Sequence, residues 1–506
     1  MRKRTVGAFV LAACSIAALF AMPVRADDAA ALLATHRAYV GWQSGDGAIT
    51  SLRESGTVTR DGKVLARISA LNRGFAYRRI DASPNGTFED GFTGHVLWIS
   101  NLNGFTVRSI GEPAQYAASY AALFDEALDA MPATVLRQEM LDGVAVTWIH
   151  LTPPVGVTLD LAVDATGAFK RVVLDPSGKY ETTFDILGYT DVGNGKRVIS
   201  SWRYAGQHAV NAYTEIEANV AVSDEDLHPP KQRATWTFDP AMATVPVELT
   251  EERILIDATI NGVKGRFIFD TGSAGIALTD SFARRVKAER LGQSEIEGIG
   301  GGATANLYTL GTVAFGNNVL HDVVAFTGLD ENDEMFKDTA GLIGFDLLAG
   351  AIVDLDLDKG TMRILDPQRF EPDKSLGFVV PIDLTDGTPR VPMKVGGQVP
   401  VLATLDSGNP AWVLFSKSLQ TRDRVRFFVD PTALVQQLQI YGVNGTEIDR
   451  CGKLQSLELG KITYAPVPAC ASDSMPRSEV LVGLEFIRAF NIVFDYPDGY
   501  LVMRKR

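Results

Sequence analysis

The chain has 506 residues, with 48 Lys and Arg against 61 Asp and Glu, giving a net charge of −13. That length calls for more than one domain, and an acidic balance with no basic stripe excludes a nucleic-acid-binding class. Beyond the N-terminus there is no long uninterrupted apolar run, so membrane-spanning helices are excluded as well.

Arg2-Lys3-Arg4 precede a largely apolar stretch over residues 6–24, which ends in Val24-Arg25-Ala26 just before Asp27-Asp28. This pattern predicts a secretory signal peptide over residues 1–26, and hence a secreted, periplasmic protein. Leu11-Ala12-Ala13-Cys14 resembles a bacterial lipobox, but the apolar run continues past Cys14 through residues 16–20, so lipid anchoring at Cys14 is the lesser alternative. Cleavage removes Arg2, Lys3, Arg4 and Arg25 with no acid, which takes the net charge from −13 to −17.

Residues 27–235 are expected to form an α+β domain. A helix is predicted over 29–42 from the apolar positions Leu32, Leu33, Tyr39 and Val40. Strand signals follow at 49–58, 64–72, 75–81 and 88–99, then an alanine- and aromatic-rich helix at 113–130. Strands resume at 145–151, 157–163, 169–174, 182–189, 198–204 and 213–222. Asp164-Ala165-Thr166-Gly167 predicts a hairpin turn between two of them. Long antiparallel strands with two helices look similar to the periplasmic lipoprotein-carrier fold, a curved sheet around a hydrophobic cavity. That resemblance implies a hydrophobic ligand in this domain and carries no site residues; a spacer or a substrate-docking domain fits the same pattern. Asp224-Glu225-Asp226 and Pro229-Pro230 mark an extended linker at 223–233.

Two matched runs follow. Phe267-Ile268-Phe269-Asp270-Thr271-Gly272-Ser273 and Ala403-Thr404-Leu405-Asp406-Ser407-Gly408-Asn409 each place an apolar strand directly before a carboxylate and a hydroxyl-glycine turn. One carboxylate in such a place reads as a cap or an ion-pair partner, but two in matched contexts read as a pair. Carboxylates brought within hydrogen-bonding distance cannot both ionise, so they share a proton and can activate a water while protonating a leaving group. Each glycine lets the backbone approach its counterpart where a side chain would clash. Leu342-Ile343-Gly344-Phe345 and Leu481-Val482-Gly483-Leu484 repeat as well; Gly344 lies 74 residues after Asp270 and Gly483 lies 77 after Asp406. Beyond them, Asp354-Leu355-Asp356-Leu357-Asp358 parallels Val493-Phe494-Asp495-Tyr496-Pro497, each as a strand, tight turn and strand.

The two Asp-Thr/Ser-Gly signatures and the two apolar-apolar-glycine signatures make residues 245–506 similar to aspartic peptidases of the pepsin and retropepsin clan. The expected fold class is mainly β: two retropepsin-like β-barrel lobes in tandem, at 245–368 and 376–506, with a short break at 366–375. The resemblance implies an aspartic-type endopeptidase that hydrolyses a polypeptide substrate through water activated by Asp270 and Asp406. Thr271 and Ser407 would bond across the junction, Gly272 and Gly408 would support the turns, and Ser273 and Asn409 would donate to the outer oxygens of the carboxylates. Asn409 departs from the usual hydroxyl residue, and Pro410 stiffens its turn.

Flap hairpins are expected between each aspartate and its later glycine signature. In the first lobe the glycine run containing Gly298, Gly300 and Gly301 fits, and in the second Tyr441-Gly442-Val443-Asn444-Gly445 fits, with Asn-Gly at the tip. Plain surface hairpins fit the same residues. The glycine run also matches a degenerate dinucleotide fingerprint, but the polar Gln293-Ser294-Glu295-Ile296-Glu297 before it is not the required apolar strand. Thr271-Gly272-Ser273-Ala274-Gly275 has Thr where a nucleophile elbow needs glycine. None of His36, His95, His150, His208, His228 and His321 is three or four residues from another, so no helical zinc pair exists, and neither metal nor organic cofactor is expected. Asp354-x-Asp356-x-Asp358 lacks the glycine and glutamate of a calcium loop and reads as a strand with outward aspartates. The run at 330–334 reads as a solvated acidic loop. With Cys14 cleaved away, Cys451 and Cys470 are the remaining thiols and are expected to form a disulfide behind the second flap. Two rival readings stay open: a non-catalytic peptide- or lipid-binding protein, favoured by Asn409, and a self-processing precursor cut near Pro229-Pro230.

Overall fold

The computed structural model describes residues 26–506 except 85, 110, 177–180, 230–231, 299–300, 330–334, 385–386, 398, 417–418, 420–435, 443–444, 473–474 and 476–479. The signal segment with Cys14, the acidic run at 330–334, Gly300 and Pro230 therefore lie outside the described residues.

Thirteen strands between Leu52 and Ala218 form one antiparallel sheet with the spatial order 6-5-4-3-2-1-13-12-11-10-9-8-7. The sixth strand, Thr106–Ser109, and the seventh, Ala133–Leu141, are its two edges, and the helix Glu112–Phe124 links them. A connection that short requires the sheet to curve. The helix can lie close because its buried face is alanine, at Ala114, Ala117, Ala118, Ala121 and Ala122. It stops at Phe124 rather than running on to 130, since Glu126 takes a φ of +51° and turns its carboxylate onto His36 Nε2, 2.9 Å away. The opening helix, Ala26–Val40, buries Ala29 and Leu33 against the same core, beside Phe169, Phe184, Trp202 and Tyr213.

Most strands fall where their sequence pattern places them, and the Asp164–Gly167 turn joins Leu159–Asp164 to Phe169–Leu174. The stretch 88–99 departs from expectation. It is two strands, Gly86–Phe92 and Leu97–Ser100, folded at Thr93, whose hydroxyl accepts from Val96 N. Ala133–Leu141 carries little alternation to find it by, because Ala133 and Val135 pack on the core but residues 136–140 of this edge strand are all exposed.

The C-terminal half is built on two further sheets and one continuous apolar core that runs through both lobes. The lobes are joined by hydrogen-bonded strands. Thr244–Leu249, Thr361–Leu365, Ile352–Asp356, Phe490–Asp495, Tyr500–Lys505 and Phe378–Pro381 follow one another in a shared sheet, with Ile352–Asp356 of the first lobe antiparallel to Phe490–Asp495 of the second. Asp354 corrects the expectation of outward aspartates. It is buried in this sheet and accepts from Arg363 Nη2 at 2.5 Å and Arg504 Nη2 at 2.7 Å. On either side of residues 230–231, Asp224 pairs with Arg73, buried Leu227 accepts from Trp98 Nε1 at 3.2 Å, and Arg233 N donates to Asn103 O at 3.1 Å.

Candidate active site

Each aspartate ends an apolar strand threaded between two others. Val263–Phe269 runs parallel to Gly341–Ile343, which is itself antiparallel to Ile276–Thr279. In the second lobe Val399–Leu405, Val480–Val482 and Val413–Ser416 repeat that arrangement. Asp270 N donates to Ile343 O and Asp406 N to Val482 O, both at 2.9 Å. The signature glycines stand behind the turns because nothing larger fits. A Cβ on Gly344 would lie 2.4 Å from both Asp270 O and Ser273 O, and one on Gly483 would lie 2.1 Å from Ala411 O.

The two turns meet in a reciprocal grip. Thr271 N donates to Ser407 Oγ at 3.0 Å, and Ser407 N to Thr271 Oγ1 at 3.0 Å. Thr271 Oγ1 donates to Leu405 O at 2.7 Å, and Ser407 Oγ to Phe269 O at 2.8 Å. Four bonds between residues 134 to 138 apart thus hold the carboxyls of Asp270 and Asp406 together, 6% and 9% exposed. Gly272 N donates to Asp270 Oδ1 and Gly408 N to Asp406 Oδ1. Each glycine also faces the opposite carboxyl: a Cβ on Gly272 would lie 2.4 Å from Asp406 Cγ, and one on Gly408 2.5 Å from Asp270 Cγ.

Burial raises both carboxyls. For Asp270 this is opposed by a hydrogen bond with Asp406 and by the amides of Gly272, Gly408 and Ser273. Asp406 is held well above the ordinary carboxylate value, first by burial and then by the charge of Asp270. Two acids that share one dry site in this way titrate as a unit and carry one proton between them.

Ser273 and Asn409 differ from expectation. Ser273 Oγ donates to Gly275 O at 3.0 Å, and Asn409 Oδ1 accepts from Ala411 N at 2.9 Å, which leaves Asn409 Nδ2 buried without a partner among the described residues. Both residues reach the carboxyls through their backbone N–H groups instead. The reason is local, since each turn is tight enough that the main-chain donor arrives first.

Glu289–Gly298 and Gly301–Phe315 pair as a hairpin closing at Gly298 and Gly301. Gln436–Gly442 and Gly445–Leu454 do the same, with Tyr441 opposite Thr446 and Gly442 opposite Gly445. Cys451 stands directly across from Cys470 in the next strand and is bonded to it. Among the described residues, no three His, Cys, Asp or Glu side chains are grouped as a metal site.

Residues 256–349 match a family model described as a gag-polyprotein putative aspartyl protease, and residues 391–486 match a second, described as an aspartyl protease. The C-terminal half is a tandem pair of aspartyl-protease-like lobes. No curated protein matches the chain. Among solved structures, a DUF1329 family protein from Desulfovibrio piger is 10% identical, with 40% of this chain and 97% of that chain covered at a TM-score of 0.29.

Two buried residues of the aspartyl-protease-like lobes were not singled out in the sequence. Burial, and after it the charge of nearby Asp270, raises the Tyr496 hydroxyl, which has no hydrogen-bond partner among the described residues. Asp346, two residues after Gly344, accepts from Ile276 N at 3.0 Å behind the Asp270 turn. An acid placed just behind an apolar-apolar-glycine signature is the cue that would have found it.

Proposed function

We propose that the protein is a secreted, periplasmic aspartic endopeptidase. The reciprocal grip of Thr271 and Ser407, which holds two buried carboxyls together across a two-lobed junction, carries this reading. Asp270, which takes the hydrogen bond from Asp406, is the base; Asp406, held higher, keeps the proton. A water between them gives a proton to Asp270 as its oxygen bonds to the peptide carbonyl carbon, while Asp406 gives its proton to the carbonyl oxygen. The tetrahedral diol then collapses: the C–N bond breaks, the amine leaves with the proton held by Asp270, and Asp406 recovers the proton from the diol hydroxyl.

One proton on the pair is required, so the rate against pH is bell-shaped. Because burial and the charge of Asp270 hold Asp406 high, the alkaline limb falls above the ordinary carboxylate range. The test is cleavage of an unbiased peptide library across pH by the wild type, Asp270→Asn and Asp406→Asn. Loss of cleavage in both variants supports the dyad. A wild type that cuts nothing at any pH favours a peptide-binding module, in which the unpartnered Asn409 Nδ2 would be the feature to revert to a hydroxyl.

A further inference from the structure

The N-terminal sheet sends one loop into the first aspartyl-protease-like lobe. This loop joins Leu97–Ser100 to Thr106–Ser109 and closes on Asn101 N to Phe105 O at 2.9 Å. Phe105 is fully buried in the core of the lobe, beside Gly350, where a Cβ would lie 2.5 Å from the Phe105 ring. Asn103 acts as a strand surrogate: its Nδ2 donates to Val324 O at 3.0 Å and its Oδ1 accepts from Val324 N at 2.6 Å. Asn101 Oδ1 is taken up inside the loop by Asn103 N at 2.9 Å and Phe105 N at 3.0 Å. Its Nδ2 is thereby aimed outward and donates to Asp346 Oδ1 at 2.9 Å.

From Asp346, 1% exposed, the chain of contacts continues to the catalytic turn. Its Oδ2 accepts from Ile276 N and leaves no space beside Gly275, where a Cβ would lie 2.8 Å from that oxygen. Gly275 O in turn receives Ser273 Oγ and Gly344 N, and Ser273 N–H faces the Asp270 carboxyl. The corresponding residue of the second lobe is Glu485, counted from its own signature glycine, and it is half-buried and paired with Arg488 at 2.9 Å. The support is one-sided and comes from the other domain.

We propose that the 100–105 loop of the N-terminal domain is a working part of the first half-site, with Asn101 a positioning residue that sets the Asp270 turn through Asp346. This rests on the peptidase reading for its kinetic consequence and on geometry alone for its structural one. Burial pushes the Asp346 carboxyl up to about 6; the other influences on it are hydrogen bonds from Asn103, Asn101 and Ile276 N–H, with no charged side chain of the described residues among them. A neutral amide supplied by the neighbouring domain therefore stands where a cation would be expected beside a buried acid. It follows that the N-terminal domain is not a removable cover, which argues against the self-processing reading.

The experiment uses the full chain as Asn101→Ala, Asn101→Asp and Ser109→Ala. The last removes a different interdomain bond, from Ser109 Oγ to Asp383 Oδ2 at 2.8 Å. Two readouts are taken: kcat and KM on a cleaved peptide, and amide hydrogen exchange of the segment 267–277. Asn101→Ala should lower kcat about tenfold or more with KM little changed, and should speed exchange in 270–277 about tenfold through the lost bond to a charged acceptor. Asn101→Asp should behave like wild type near about pH 5, where one of the two facing carboxyls holds a proton, and like Asn101→Ala near about pH 8. Ser109→Ala should leave both readouts unmoved. Unchanged exchange in 270–277 for Asn101→Ala, or an equal effect from Ser109→Ala, would overturn the proposal. A wild type that cleaves nothing sinks the peptidase reading by itself while the exchange readout still decides this one.

Discussion

Replacing Thr271 with valine keeps the shape of the side chain and removes only its hydroxyl. Two backbone groups lose their partners, Ser407 N–H and Leu405 C=O, at a junction where Thr271 is 1% and Ser407 0% exposed. A buried polar group left unpaired costs about 1–3 kcal/mol, so the expected loss is about 2–6 kcal/mol. Thr271→Ser keeps both bonds and gives up one methyl, at a cost of about 1 kcal/mol. Urea unfolding of the two variants and the wild type, monitored with an unchanged m-value, measures both losses. The carboxyls also lose their register in the valine variant, and a displacement on the order of 1 Å lowers kcat about 10²-fold. If Thr271→Val proves no less stable than Thr271→Ser, the grip does not hold the lobes and the alignment of the dyad must come from the shared sheet alone.

Gly408→Ala should fold and cleave nothing, because its Cβ would meet Asp270 Cγ at 2.5 Å; measurable turnover at more than about 1% of wild type would refute the close approach. Glu54, buried and pushed up to about 8 from 4.5, accepts from Asn72 Nδ2 at 2.7 Å. Its folded pKa lies above the unfolded one, so its stabilising contribution is complete below about pH 4.5 and is lost as pH rises through about 8; Glu54→Gln should therefore gain on the wild type by up to roughly 5 kcal/mol across that window, read as melting temperature against pH. Reducing Cys451–Cys470, 19 residues apart, should cost the second lobe about 3 kcal/mol, seen in unfolding with and without reductant.

The site was legible because its residues come in short runs that repeat. Asp270-Thr271-Gly272 and Asp406-Ser407-Gly408 are each contiguous, and the glycines that brace them recur at nearly equal distance, so the grip could be foreseen without coordinates. Long strands with regular alternation in the N-terminal sheet were legible for the same reason. What stayed hidden depends on partners far apart in the chain. Asn101 and Asp346 are 245 residues apart and neither belongs to a repeat. Ala133–Leu141 has five consecutive exposed residues at 136–140 and little pattern to betray it. Asp354 read as outward because alternation says nothing of a sheet covered on both sides by Arg363, Arg504 and the second lobe.

The sheet in which Ile352–Asp356 pairs with Phe490–Asp495 makes the two lobes permanent neighbours on one chain. In a symmetric dimer of identical subunits, any change to one half-site is imposed on the other, so a buried Asp346 served by a foreign loop would have to appear twice and find two docking domains. Fusion lifts that constraint. The first lobe takes the 100–105 loop behind its Asp270 turn and the second keeps Glu485 paired with Arg488, while the Thr271–Ser407 junction is the place where the two halves still match.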